Sequence, residues 1–157
     1  LINRPIFGLN KSKNSAYSFS ERKKLMEEYE AQVLECHRAM ELAINERCSI
    51  PLLELRQRLL KEEMEELNIE IDNLLGELKT SGTTTRESRA KMLKELADLQ
   101  YVLSGMVVSL GLPMQEAFAR VHKSNMSKLV NGKPLKRADG KFLKGPNYQP
   151  PFLQDIA

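Results

Sequence analysis

Five carboxylates stand out by type and spacing. Lys61-Glu62-Glu63-Met64-Glu65-Glu66 sets acids at 62, 63 and 66, and after twenty-eight intervening residues Glu95-Leu96-Ala97-Asp98 supplies a second acid pair. On a helix turning about 100° per residue, Glu63 falls on the apolar stripe Leu60, Leu67, Ile71, Leu74, Leu78, Glu66 sits about 60° away one turn later, and Glu62 lies about 40° beyond Glu66. Glu95 borders the stripe of the next helical segment, with Asp98 beside it at i+3. Antiparallel pairing of the two segments brings all the acids into one cluster. Like charges that close repel and raise one another's pKa unless a cation sits among them. Hard oxygen donors without histidine or thiolate select Mg²⁺, with Mn²⁺ as the alternative, over zinc. A lone E-E-x-x-E is more often a solvated face, and Glu65 and Glu70 are read that way. Glu63 differs because an unpaired carboxylate on an apolar stripe is costly.

A basic segment forms the complement. In His122-Lys123-Ser124-Asn125-Met126-Ser127-Lys128, Asn125 occupies the stripe Met114, Phe118, Val121, Asn125, Leu129, and Lys128 follows one turn on. Lys133, Lys136, Arg137, Lys141 and Lys144 come after it. An amide plus ammonium groups facing a metal-carboxylate cluster suits a polyphosphate, because cations neutralise the phosphate oxygens and the amide orients them. Asn125, Lys128, Lys123 and Lys144 are the phosphate-binding candidates. Asn125 could equally be a helix-packing amide, and His122 is read as structural or surface.

Four helices must position these groups. Met26, Tyr29, Val33, Cys36, Met40 and Ala43 or Ile44 recur at three or four positions and predict a first helix over 21–45. Pro51 opens a second running to about Leu78. Thr84 with Glu87 fits a capping box for a third, which extends through Met92, Leu96, Leu99, Leu103 and Met106 to about Leu110. The second half of that helix is apolar nearly all round, which predicts a place at the centre of the bundle. Gly111 and Pro113 are a stop and a start for the fourth. Beyond Asn131-Gly132 the chain is rich in Pro and Gly, and Asp139-Gly140 between Lys136-Arg137 and Phe142-Leu143 predicts a tight hairpin. The expected organisation is a flexible arm over 1–20, a helical catalytic domain over 21–130, and an extended or hairpin tail over 131–157 packed on that domain.

Composition agrees with an all-α fold: 157 residues, no tryptophan and nine Phe or Tyr favour aliphatic helix packing over a β-sandwich. The net charge of +3 divides unevenly: +5 over residues 1–24, −8 over 25–119 and +6 over 120–157. Basic ends suggest anionic partners, and the acidic middle is either a solvated surface or a cation site. Cys36 and Cys48 lack the spacing of a zinc or disulfide framework, so they are expected to be reduced, partly buried thiols of a cytoplasmic protein. The apolar run from Leu96 to Leu112 carries Asp98 and falls short of the roughly 20 residues of a membrane span.

Glu62, Glu63 and Glu66 followed by Glu95 and Asp98 resemble the MazG-type branch of the all-α nucleoside triphosphate pyrophosphohydrolases. Leu55 to Glu63, Asp98-Leu99-Gln100-Tyr101-Val102, Val121 to Lys128 and Lys144-Gly145-Pro146-Asn147-Tyr148 are similar to a bacterial and phage subgroup of phosphoribosyl-ATP pyrophosphohydrolase-like proteins. The resemblance spans roughly residues 29–153. It implies a four-helix-bundle-like fold, a homodimer or homotetramer, and Mg²⁺-dependent hydrolysis of an NTP or dNTP between the α and β phosphates, giving monophosphate and pyrophosphate. It also implies Glu63, Glu66, Glu95 and Asp98 as metal ligands, with Glu62 or Glu63 in the catalytic role, Glu62 positioning the water or standing behind the ligands. Two rivals are a true phosphoribosyl-ATP pyrophosphohydrolase of histidine biosynthesis and a non-catalytic helical module whose basic ends bind nucleic acid. The second explains neither Glu63 on its stripe nor the paired acids, so nucleic acid is not the expected partner.

Overall fold

The structure, a computed structural model, describes residues 29–157. The expected arm over 1–20 and the expected first turns over 21–28 lie outside the described residues. Four helices follow in order, α1 (Tyr29–Ala39), α2 (Ile50–Ser81), α3 (Arg86–Leu110) and α4 (Met114–Met126), and among the described residues the only β pairing is two isolated bridges. The fold is all-α, as the composition and periodicity indicate.

The first helix stops at Ala39, short of the expected 45. Glu41 adopts a left-handed conformation with φ 55°, and the Leu42 amide reaches back to the His37 carbonyl at 2.8 Å, so the chain closes the helix by the usual left-handed C-terminal turn without its usual glycine. Nothing in Met40-Glu41-Leu42 announces that stop. The following loop then straps the end of α3: the Asn45 and Glu46 amides bond to the Val108 and Ser109 carbonyls at 3.0 and 2.7 Å. Those carbonyls belong to the last turn, where a helix leaves its acceptors free. Gly111, left-handed at φ 63°, caps the same end, and the Asn45 side chain lies where a β-carbon on residue 111 would stand.

The turn between α2 and α3 is capped one residue later than the sequence suggests. Thr85, not Thr84, is the N-cap, its hydroxyl accepting the Ser88 amide at 3.1 Å. Glu77 of α2 fills the part expected of Glu87: its Oε2 accepts from the Thr85 amide at 2.9 Å and from the Ser88 hydroxyl at 2.8 Å. These bonds hold the Glu77 carboxyl below its ordinary range, the Thr85 amide contributing most. Glu87 pairs with Lys91 instead, at 3.4 Å.

Helices α2 and α3 run antiparallel, and α1 packs on the other side of α3. α3 is therefore central, although its buried face differs from the expected leucine stripe. Leu96 and Leu103 are exposed, while Ser104, Gly105, Val107, Val108 and Ser109 are buried. Small residues allow both neighbouring helices to approach closely. At the end away from the turn, Arg56 of α2 is buried against Gly105 and donates through Nη2 to the Ser109 hydroxyl. Among the described residues its Nε finds no partner, and burial depresses the guanidinium's pKa. His37 of α1 closes the same pocket, donating from Nδ1 to the Ala43 carbonyl at 2.8 Å. Two polar clamps thus fix the α2–α3 register, Glu77 to Thr85 and Ser88 at one end and Arg56 to Ser109 at the other.

α4 bends away from α3 by 117° and packs extensively on none of the other helices. Its stripe is uncovered: Phe118 is 63% exposed, Asn125 is also exposed, and Ser124 is the buried residue of the helix. The expected core position of Asn125 is corrected accordingly, because among the described residues no helix covers that face. The hairpin forms where Asp139-Gly140 places it, with the bridge between Lys136 and Phe142 and the Arg137 amide on the Lys141 carbonyl at 2.9 Å. The C-terminal segment returns to α4, where Arg120 donates to the Phe152 carbonyl at 2.9 Å and pairs with Asp155 at 2.5 Å. Cys36 is half-buried and Cys48 exposed, so only the first fits the expected partly buried thiol. No single described helix is long and apolar enough to cross a membrane.

Candidate metal centre

Between the two clamps, the α2–α3 register sets Glu63 and Glu66 opposite Glu95. One carboxylate oxygen from each lies within 4.8 Å of the others. Glu95 is buried, Glu63 half-buried and Glu66 exposed, so the group opens to solvent on one side. Asp98 borders the same group, reaching Lys94 at 2.9 Å from one turn along α3. Glu62 lies next in line and adds to the negative field on Glu63. Burial raises the Glu63 carboxyl above its ordinary 4.5, and Asp98 and Glu66 push it further; Lys94 opposes them.

The cation required among such charges is, within this chain, a lysine. Lys94 Nζ stands 2.9 Å from Asp98, 3.1 Å from Glu95 and 3.7 Å from Glu66. Its hydrogen bonds to Asp98 and Glu95 hold its pKa above the ordinary lysine range. Sequence reasoning passed over Lys94, although its position one residue before Glu95 and four before Asp98 is a helical ion-pair spacing. It also passed over Glu70, read as solvated. One Glu70 oxygen is buried without a partner among the described residues, seven residues from Glu63 on the same side of α2.

The donor set fits a divalent ion. Three carboxylate oxygens converge, no soft ligand joins them among the described residues, and an ammonium group already rests where positive charge is favoured. The phosphate-binding candidates lie elsewhere. Lys128 donates to Asn125 Oδ1 at 2.7 Å, Lys144 stacks over the Tyr148 ring at 4.4 Å, and Lys123 is exposed on α4. Among the described residues none of the four forms an ion pair with the acids. On the α1 side of α3, Tyr29, Gln32, Ala97, Gln100 and Tyr101 line an open groove of about 410 Å³.

The sequence profile of the phosphoribosyl-ATP pyrophosphohydrolase family matches residues 33–125, more than half of the 157. The chain belongs to that family. Phosphoribosyl-ATP pyrophosphohydrolase family members are hydrolases acting on phosphoric anhydrides, and the protein is therefore an enzyme of this type. The match takes in all five acids, Lys123 and Asn125, and stops before Lys128 and Lys144. The family is typically dependent on a divalent metal, in keeping with the acidic cluster. No curated protein matches the chain.

Proposed function

We propose that the protein is a Mg²⁺-dependent nucleoside triphosphate pyrophosphohydrolase, releasing pyrophosphate and a nucleoside monophosphate. The observation that carries this reading is the convergence of Glu63, Glu66 and Glu95 within 4.8 Å, with Asp98 at its edge, in a chain of the pyrophosphohydrolase family. These four residues would hold the ion, Mn²⁺ being a workable substitute. A divalent ion there supplies charge neutralisation for the phosphates and acidifies a bound water. Glu62, exposed beside Glu63, is assigned the role of orienting that water and taking its proton. Attack on the α phosphorus would then break the α–β anhydride and release monophosphate and pyrophosphate.

Asn125, Lys128, Lys123 and Lys144 are assigned to the phosphates. They act from α4 and the tail, and the uncovered faces of α2, α3 and α4 support a homodimer or homotetramer in which a second copy brings such groups to the acids. Met64 at 46%, Leu93 at 65% and Phe118 at 63% exposure are large apolar groups that a second copy would cover. Light scattering should therefore give at least twice the 17.9 kDa chain mass; a strictly monomeric species would remove this part of the reading. The groove lined by Tyr29 and Tyr101 is the candidate seat for the base.

The family's own description favours a second substrate, phosphoribosyl-ATP, which carries the same α–β anhydride. A panel of nucleoside triphosphates together with phosphoribosyl-ATP, assayed for pyrophosphate with wild type, Glu63→Gln and Asp98→Asn, separates the two. Unchanged turnover in both variants would refute the carboxylate assignment. Family membership in a set of hydrolases leaves the non-catalytic nucleic-acid reading without support.

A further inference from the structure

We infer that Lys94 is a tethered counter-cation that holds the carboxylate cluster together before the divalent ion arrives and then turns to the substrate's phosphates. The inference rests on the metal-dependent reading above. Lys94 contacts three of the four proposed ligands, at 2.9, 3.1 and 3.7 Å, so its ammonium competes with a divalent ion for the charge of the same carboxylates. The side chain is 61% exposed, which leaves its four-carbon stem free to swing outward at little cost.

Two consequences follow from charge alone. Without metal, the ammonium offsets repulsion among Glu63, Glu66, Glu95 and Asp98, keeping ligands assembled that would otherwise part. When a divalent ion takes its place, the displaced ammonium stands at the mouth of the cluster beside that ion. It is stable there only against new negative charge. A triphosphate brings that charge. The lysine therefore weakens binding of the free ion and strengthens binding of the nucleotide, so that ion and nucleotide enter together. A lysine that merely formed a surface ion pair would do neither.

The test uses the full chain and two variants, Lys94→Gln and Lys94→Arg. Binding of Mn²⁺ alone is read by electron paramagnetic resonance, and binding of an α,β-imido nucleoside triphosphate at saturating Mn²⁺ by calorimetry. Lys94→Gln should bind free Mn²⁺ about tenfold more tightly, the size expected for removing one partly screened charge a few ångströms away. It should bind the analogue more weakly by a similar factor, and Lys94→Arg should stay near wild type in both. Opposite signs cannot come from a general loss of folding, which weakens both. Mn²⁺ affinity equal to or below wild type in Lys94→Gln, or analogue binding unchanged, would overturn the inference while leaving the metal site standing. Absence of Mn²⁺ binding in all three proteins, with and without the analogue, would instead overturn the metal reading and this inference with it.

Discussion

Gly105→Ala probes whether the α2–α3 register is set by the buried guanidinium. A β-carbon on residue 105 would stand 2.9 Å from Arg56 Nη1, closer than a carbon and nitrogen comfortably pack, and in ordinary contact with His37 Nε2 at 3.5 Å. Arg56 is only 6% exposed and is bonded to Ser109, so its tip has little room to retreat. Overpacking of this kind costs about 1–3 kcal/mol. Replacing a mid-helix glycine by alanine returns about 1 kcal/mol of helix propensity. The expected net loss is therefore about 0–2 kcal/mol, a fall in melting temperature of up to about 8 °C for a chain of this size. The decisive comparison is a double-mutant cycle with Arg56→Met, made by thermal and urea denaturation. With the guanidinium gone, Gly105→Ala should become stabilising by up to about 1 kcal/mol, giving a coupling of about 1–3 kcal/mol between the two sites. In the single variant, Mn²⁺ affinity should fall as well, because Glu63 and Glu95 are held by the same two helices. Equal effects of Gly105→Ala in both backgrounds would refute the register argument.

The turn clamp gives a pH signature. Glu77 has a depressed pKa, so its contribution is present above the ordinary 4.5 and is lost as pH falls through the lower folded value. Glu77→Gln should be less stable than wild type at pH 7, and the gap should narrow as pH falls below 4.5; a gap independent of pH would contradict the role given to its charge. Arg120→Ala should release the C-terminal segment, seen as faster amide exchange over residues 150–157. Global stability should change little, since exposed ion pairs contribute little, and unchanged exchange would show that other contacts hold the tail.

The acids were legible in the sequence because a charge on an apolar stripe violates the pattern around it, and antiparallel pairing of two long helices follows from the short Gly82-containing turn between them. The end of α1 was not legible, because a left-handed Glu41 leaves no compositional mark. Nor was the buried face of α3. Leucines dominate its hydrophobic pattern, yet close approach of two helices selects Ser104, Gly105 and Ser109 for the interior. Asn125 was misplaced for a related reason: periodicity identifies an apolar face but not whether the same chain covers it. The sequence reading put a metal ion among the acids, and Lys94 escaped notice because a lysine in an acidic segment reads as ordinary surface charge.

The central claim is that Glu63, Glu66, Glu95 and Asp98 hold the divalent ion on which anhydride cleavage depends. The most direct measurement is product identification by ³¹P NMR on a nucleoside triphosphate or phosphoribosyl-ATP with wild type and Glu95→Gln, with and without Mg²⁺. Monophosphate and pyrophosphate should appear only with wild type and Mg²⁺. Turnover in the absence of any divalent ion, or undiminished turnover by Glu95→Gln, would contradict it.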